Sequence, residues 1–250
     1  TPLEIGSSQE VVLSVVKVMI GEAIRQAQTR NIPLLGVGVG VPGGVNHRVN
    51  APALSWKEVP LKEILEQHFN IPVIVDNKAR AASMAEALYG GARDVHSFIY
   101  VSMGTDVHSS LEAAVVTDGI LYRGASGRAV NAGHMVLDPN GPLCLCGQRG
   151  CWQVMADVDR EVGLACQRLE AGEASVLQAY AANGYANLDH RVIHQAAIEG
   201  DALAREVAST VLMNHALGIT NLVLLFDPQL VIIGWETLIL PNAYTARMYT

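Results

Sequence analysis

One histidine and three of the chain's four cysteines lie within residues 133–152. Zinc binds four nitrogen and sulfur ligands at ~2.0–2.3 Å in a tetrahedron, and loops with closely spaced ligands supply such sets. His134, Cys144, Cys146 and Cys151 fit this count, and the intervening DPNGP and GQRG segments contain turn-forming residues. Four protein ligands leave no open coordination position, so the predicted zinc is structural. The alternative is a set of buried or reactive thiols without a metal.

A second group of polar residues follows a predicted strand over 71–76. Asp76, Asn77 and Lys78 stand between that strand and a predicted helix over 79–89. Open α/β sheets bind their ligands at the carboxyl ends of strands, so this position is the predicted ligand-binding site. The alternative is that Asp76 or Asn77 only caps the helix that follows.

The run GVGVPG at 38–43 matches the G-x-G-x-x-G pattern of dinucleotide-binding loops. That fingerprint requires the loop to open a helix, and Pro42 followed by GGVNHRVNAP does not favour one, so we reject the dinucleotide interpretation. The sequence instead predicts a buried strand that ends at a glycine-rich turn. Backbone amides of that turn could face a cleft, which makes Gly44 a candidate ligand contact.

Two further patterns are weaker. His190 and His194 have the i, i+4 spacing of a helix and could bind a metal, but no carboxylate or cysteine at suitable spacing joins them. A solvated helix face is the favoured interpretation. The segment GTDVHSS at 104–110 follows a predicted strand as a phosphate loop would, yet it offers one glycine, and Asp106 would repel phosphate.

Hydrophobic periodicity places these residues on alternating elements. Helices are predicted over 10–29, 60–68, 79–89, 151–172 and 201–226. Strands are predicted within 33–41, over 71–76 and 98–103, at 111–117 and 120–124 around the hairpin pair Asp118-Gly119, and over 229–235. Such alternation indicates an α/β fold, and we expect two lobes, 1–96 and 97–250, with the cysteine loop 133–152 in the second.

Composition excludes several classes of protein. The 250 residues carry a formal net charge of −7 without a run of basic residues, so the chain alone is not expected to bind nucleic acid. The longest apolar stretches fall short of the ~20 residues that cross a bilayer, and no signal peptide is evident. The clustered cysteines favour metal binding in a reducing compartment, hence a cytoplasmic location. The first residue is not methionine, which suggests a trimmed fragment.

Motifs along nearly the whole chain resemble those of the ROK family of repressors, open reading frames and sugar kinases. The motifs that carry the resemblance, in order, are GVGVPGGV, LSWKEVPL, IPVIVDN, GGARDVHSFIYVSMGT, GHMVLDPNGPLCLCGQRGCW and GITNLVLLFDPQLVIIGW. The resemblance implies the actin-like (ribonuclease H-like) ATPase fold of two lobes around a cleft, here incomplete at its start. It also implies that His134, Cys144, Cys146 and Cys151 bind zinc, with His134 reaching toward a sugar pocket.

The residues at the family's catalytic positions depart from its pattern. The catalytic aspartate of its Asn-Asp pair corresponds to Lys78 after Asn77, and a protonated lysine cannot accept the proton of a sugar hydroxyl. Two sugar-binding glutamates correspond to Asn131 and Gln153. The glycine-rich phosphate loop is degenerate at 104–110, so ATP is expected to bind badly. No catalytic residue is therefore assigned.

The resemblance and these departures together favour the regulator branch of the family. We expect the effector-sensing and oligomerisation region of a kinase-inactive transcriptional regulator, with a structural zinc and a sugar or sugar derivative as effector. The predicted effector contacts are Gly44, Asn77, Lys78, Asn131, His134 and Gln153. Operator DNA would bind through a helix-turn-helix segment not in this chain, no membrane is involved, and a homodimer or homotetramer is expected. The alternative is a divergent ATP-dependent sugar kinase.

Overall fold

A computed structural model describes residues 8–103, 111–181 and 184–235. The helices are α1 (Gln9–Thr29), α2 (Leu61–Phe69), α3 (Lys78–Tyr89), α4 (Trp152–Met155), α5 (Val158–Glu170), α6 (His190–Glu199) and α7 (Ala202–Phe226). The strands are β1 (Val37–Val41), β2 (Gly44–Val45), β3 (Val49–Ala51), β4 (Trp56–Val59), β5 (Val73–Asn77), β6 (Phe98–Met103), β7 (Glu112–Thr117), β8 (Ile120–Leu121) and β9 (Leu230–Trp235).

The strands form three sheets. β1 pairs with β5 in parallel, in a register that sets Val41 opposite Asn77. β2, β3 and β4 form an antiparallel sheet in that order, and the four-stranded sheet has the order β8-β7-β6-β9. The predicted hairpin between β7 and β8 turns at Asp118 and Gly119, whose φ angles of 51° and 75° are the positive values that a type I′ turn requires.

Most predicted elements are present, with several differences in number and bounds. The helix expected over 151–172 is wrong as a single element, because α4 ends at Met155 and α5 begins after Asp157, whose side chain accepts a hydrogen bond from the Asp159 amide. The strand expected within 33–41 begins only at Val37. The short strands β2, β3 and β4 were not predicted, since two to four residues carry too little periodicity. β1 leads into β2 and not into a helix, which agrees with rejecting a dinucleotide loop.

The chain divides into two compact units. The first unit comprises Thr1–Val101, Glu112–Asn131 and Pro228–Ile232. Its main core packs α1 and α2 against the strands β1 to β5, and Leu61 and Leu65 are among its most buried residues. The predicted lobes 1–96 and 97–250 use a single boundary, and that simpler division stays a prediction.

The second unit comprises Ser102–Leu111, Ala132–Asp227 and Ile233–Thr250. Its core packs α5, α6 and α7 around small and branched apolar side chains. Among the described helices, α7 alone has the length and apolarity of a membrane span. From the sequence, every apolar stretch had been expected to be shorter than such a span. Helix α7 packs against α4, α5 and α6, and its buried residues include His215 and Gly218.

Candidate functional site

The predicted metal ligands come together in the second unit. One ligand atom from each of His134, Cys144, Cys146 and Cys151 lies within 4.8 Å of the other three. His134 Nδ1 is 3.5 Å from Cys144 Sγ, and Cys146 Sγ is 3.6 Å from Cys151 Sγ. A tetrahedron with zinc–ligand bonds of ~2.0–2.3 Å has edges of about 3.3–3.8 Å, so these separations and the one-nitrogen, three-sulfur donor set fit a zinc ion.

Backbone hydrogen bonds fold the loop so that the ligands converge. The Cys144 amide donates to the Gln148 carbonyl at 2.8 Å, and the Gly147 amide donates back to the Cys144 carbonyl at 2.9 Å. Gly147 and Gly150 have φ angles of 89° and 63°, which side chains rarely adopt. A Cβ at Gly150 would also overlap the Asp138 carbonyl. These φ angles and this close approach explain why glycine stands at both ends of the GQRG segment.

Burial favours metal binding at one of the predicted ligands and opposes it at another. Burial lowers the pKa of His134, which keeps its imidazole neutral and able to ligate at neutral pH. Burial, followed by hydrogen bonds with neighbouring thiols, raises the pKa of Cys151 to about 12. The backbone at Gln148 lowers the pKa of the exposed Cys146. A metal must displace the Cys151 proton in order to bind, so metal affinity is expected to rise with pH.

The residue after the last ligand connects the loop to α7. Trp152 is fully buried, and its Nε1 donates to His215 Nδ1 at 3.3 Å. Burial lowers the pKa of His215 to about 4, so its ring stays neutral and can accept this bond. Gly218 lies directly against the indole, since a Cβ there would overlap three of its carbons. The Asn214 amide adds a 2.8 Å bond to the Met155 carbonyl.

The strand-end residues lie in the first unit, where Asn77 caps α3. Its Oδ1 accepts hydrogen bonds from the Ala79 and Arg80 amides at 2.9 and 3.2 Å, and its Nδ2 donates to the Gly43 carbonyl at 2.9 Å. The Gly43 amide in turn donates to Glu112 Oε1 at 2.7 Å. Asn77 therefore caps α3 with both ends of its amide engaged, and its contact with a ligand stays a prediction.

Asp76 belongs to a charged network that the sequence analysis did not predict. Arg80 is 2% exposed, and its guanidinium binds Asp76 Oδ1 at 2.6 Å and the Gly127 and Val45 carbonyls at 2.7 and 2.8 Å. Arg123, which is exposed, binds Asp76 Oδ2 at 2.8 Å. Burial alone would raise the pKa of Asp76, but its hydrogen bonds, from Arg123 first, together lower it. The i, i+4 spacing of Asp76 and Arg80 was the available signal.

The predicted effector contacts are distributed over both units. Gly44, Asn77, Lys78 and Asn131 belong to the first unit, and His134 and Gln153 to the second. Lys78 is half-buried at the first position of α3, and no described residue forms an ion pair or hydrogen bond with its ammonium. The degenerate phosphate loop 104–110 lies outside the described residues. The assignment of these contacts to an effector stays a prediction.

The interpretation of His190 and His194 as a solvated helix face is wrong. His194 Nε2 lies 2.7 Å from Oε1 of Glu161, which is 2% exposed, and the His190 and His194 rings meet edge to face at 6.3 Å. The carboxylate comes from α5, 33 residues away in sequence, so no local spacing could indicate it. The pair joins α5 to α6 within the second unit.

Solved structures define the class of fold. The chain superimposes on a ROK family transcriptional regulator, described as a homologue of the Escherichia coli Mlc protein, with a TM-score of 0.77 and 27% identity over 90% of this chain and 56% of that one. Such neighbours have the actin-like ATPase fold, and this α/β chain shares it.

Sequence comparisons give the family. The ROK family model matches residues 4–248, so the chain belongs to the ROK family. A xylose repressor of Caldicellulosiruptor bescii is 32% identical over 240 residues, which are 93% of this chain and 58% of the repressor. A glucokinase of Streptomyces coelicolor is 32% identical over 207 residues, 80% of this chain and 64% of the enzyme. The chain thus spans less than two thirds of either relative.

Proposed function

We propose that this chain is the effector-sensing region of a kinase-inactive ROK transcriptional regulator. The observation that carries the proposal is Lys78 at the first position of α3, where the family's kinases are expected to carry an aspartate base. A general base must accept a proton at the operating pH, and a protonated ammonium cannot. The neighbouring Asn77 carries a neutral, non-basic amide that caps α3, so it offers no substitute base.

The engagement of the two carboxylates near the strand ends supports the loss of phosphoryl transfer. Glu112, a buried carboxylate, accepts from the Gly43 amide at 2.7 Å, beside the turn whose amides could otherwise have met a ligand. A second carboxylate, Asp76, is held by Arg80 and Arg123 and is not available as a base. Neither Glu112 nor Asp76 is therefore placed to replace the missing base.

The metal cluster is proposed to hold one structural zinc ion. Its four protein ligands would fill a tetrahedral site and leave no position for water or substrate. The bound ion would supply cross-linking of the loop, because Cys151 and Trp152 continue from it into the core against α7. The proposed role of the ion is therefore to hold the loop 133–152 in place against α7.

The match to a xylose repressor supports a regulator with a sugar effector. We propose Gly44, Asn77, Lys78, Asn131, His134 and Gln153 as the effector contacts. We further propose that the complete regulator is a cytoplasmic homodimer or homotetramer. Operator DNA would be bound by a helix-turn-helix segment outside residues 1–250.

A coupled kinase assay and a thermal-shift screen test this proposal. The purified chain is incubated with ATP and magnesium and, in turn, with pentoses, hexoses and N-acetylhexosamines; no sugar-dependent ADP formation is expected. In the same panel without ATP, an effector at 100 times its Kd should stabilise the fold by ~2.7 kcal/mol. Lys78→Met is the matched variant, since it keeps the length of the side chain without its charge.

The relative that is a glucokinase favours one alternative, a divergent ATP-dependent sugar kinase. In that case the wild-type chain phosphorylates at least one sugar, and Lys78→Met or Lys78→Asp abolishes the activity. Turnover by the wild-type protein would exclude the regulator proposal. Absence of turnover together with stabilisation by a sugar would support it.

A further inference from the structure

The three thiols of the metal cluster differ in their access to solvent. Cys144 and Cys151 are 4% and 0% exposed, whereas Cys146 is exposed. Cys146 Sγ lies 3.6 Å from Cys151 Sγ, Cys144 Sγ lies 3.5 Å from His134 Nδ1, and all four ligand atoms lie within 4.8 Å of one another. The cluster therefore contains one sulfur that a small solute can reach and one buried sulfur directly behind it.

We propose that Cys146 and Cys151 are a peroxide-modification site that closes to a disulfide. The Cys146 sulfur attacks one oxygen of hydrogen peroxide, the O–O bond breaks, and a sulfenic acid and water are produced. The Cys151 sulfur then attacks the sulfenic sulfur, the S–S bond forms, and the S–O bond breaks to release a second water with the remaining proton. In total, two thiols and one peroxide give one disulfide and two waters.

The modification has consequences for metal retention and for the core. Once Cys146 and Cys151 are joined, only His134 and Cys144 remain as ligands, which is half of a tetrahedral set. A bound zinc ion should therefore be released. Cys151 directly precedes Trp152, whose indole is bonded to His215, so tryptophan fluorescence should report the change. This chemistry is independent of whether the chain senses a sugar.

Peptide mapping of the oxidised, metal-loaded chain is the decisive test. Trypsin cleaves after Arg149 and so separates the peptide 129–149, which contains Cys144 and Cys146, from the peptide 150–160, which contains Cys151. After hydrogen peroxide treatment we expect these two peptides to be cross-linked, with the loss of two hydrogens, and a zinc-binding dye to detect released metal. Dithiothreitol should reverse both changes.

Two variants identify the sulfurs. Cys146→Ser should lose the cross-link, and Cys166→Ser should keep it, because Cys166 is no part of the cluster and burial raises the pKa of its thiol. Fragmentation of the cross-linked wild-type peptide assigns the pair even if Cys146→Ser folds poorly. A bridge within 129–149, a bridge through Cys144, or oxidation only to sulfinic acid would each overturn the proposal.

Discussion

The contact between Gly218 and Trp152 gives a prediction whose sign can be worked out from two glycines. Gly218 lies within α7, and a Cβ there would overlap three indole carbons of the fully buried Trp152. Gly163 lies within α5, is exposed, and has open space where its Cβ would be. The substitution Gly→Ala is therefore chemically the same at both positions, but the surroundings differ.

Alanine is favoured over glycine inside a helix by about 1 kcal/mol, and Gly163→Ala should gain this amount. Gly218→Ala sets the same gain against overpacking, which costs ~1–3 kcal/mol and sometimes more. Because the added Cβ would lie within 2.5 Å of three ring carbons, we expect the upper end of that cost and a net destabilisation of about 2 kcal/mol or more. For a chain of this size a change of 1 kcal/mol moves the Tm by ~2–4 °C, so Gly163→Ala should raise the Tm and Gly218→Ala should lower it.

Urea denaturation of metal-saturated protein measures both free energies of unfolding. Because Trp152 follows the ligand Cys151, Gly218→Ala should also release metal to a chelator faster than the parent, and Gly163→Ala should not. A smaller side chain at position 152 should make room, so Trp152→Phe with Gly218→Ala should be less destabilising than the sum of the two changes. If Gly218→Ala were as stable as Gly163→Ala, the proposed packing of the indole against α7 would be refuted.

Three other predictions follow from buried charges and ligands. Arg80→Met should lower the free energy of unfolding by about 3–5 kcal/mol, because it leaves Asp76 partly buried without its inner partner. Arg123→Gln, at an exposed position, should change that free energy by ~1 kcal/mol or less. Urea denaturation of the two variants distinguishes these outcomes. Burial lowers the pKa of His215 in the folded chain to about 4, against an ordinary value of 6.5. The unfolded chain therefore binds the proton first, and the free energy of unfolding should fall by about 3 kcal/mol as the pH falls from 6.5 to 4. The variant His215→Gln should lack this part of the pH dependence. Chelation should lower the Tm of the parent and of Cys166→Ser equally, and an unchanged melting curve would contradict a structural metal.

The metal cluster was predictable because its signal is local. The four predicted ligands lie within eighteen consecutive residues, and Gly147 and Gly150 between them have the positive φ angles that bring the ligands together. The long elements were predictable for the same reason, since 21 residues in α1 or 25 in α7 display several helical periods. The strands β2, β3 and β4 have no such length, and the sequence could not distinguish them from a loop.

The strand-end site depends on contacts that local sequence patterns cannot predict. Position and type indicated that Asp76 and Asn77 matter, and both alternatives, ligand contact and helix cap, were left open. In the structure Asn77 caps α3, and a chain of hydrogen bonds joins the other end of its side chain through Gly43 to Glu112. Glu112 is 35 residues beyond Asn77, and only the pairing of separate strands brings them close.

The same limit explains why Arg80 was not singled out. An arginine in the first turn of an amphipathic helix usually reaches solvent, because its long side chain can extend past apolar neighbours. Here the guanidinium meets Asp76 and carbonyls from two other segments, at Val45 and at Gly127. Burying the charge is tolerable only because every one of those acceptors is in place. Arg80 therefore holds together the strand end that leads into α3, where Lys78 is proposed to contact an effector, although Arg80 is itself too deeply buried to touch one.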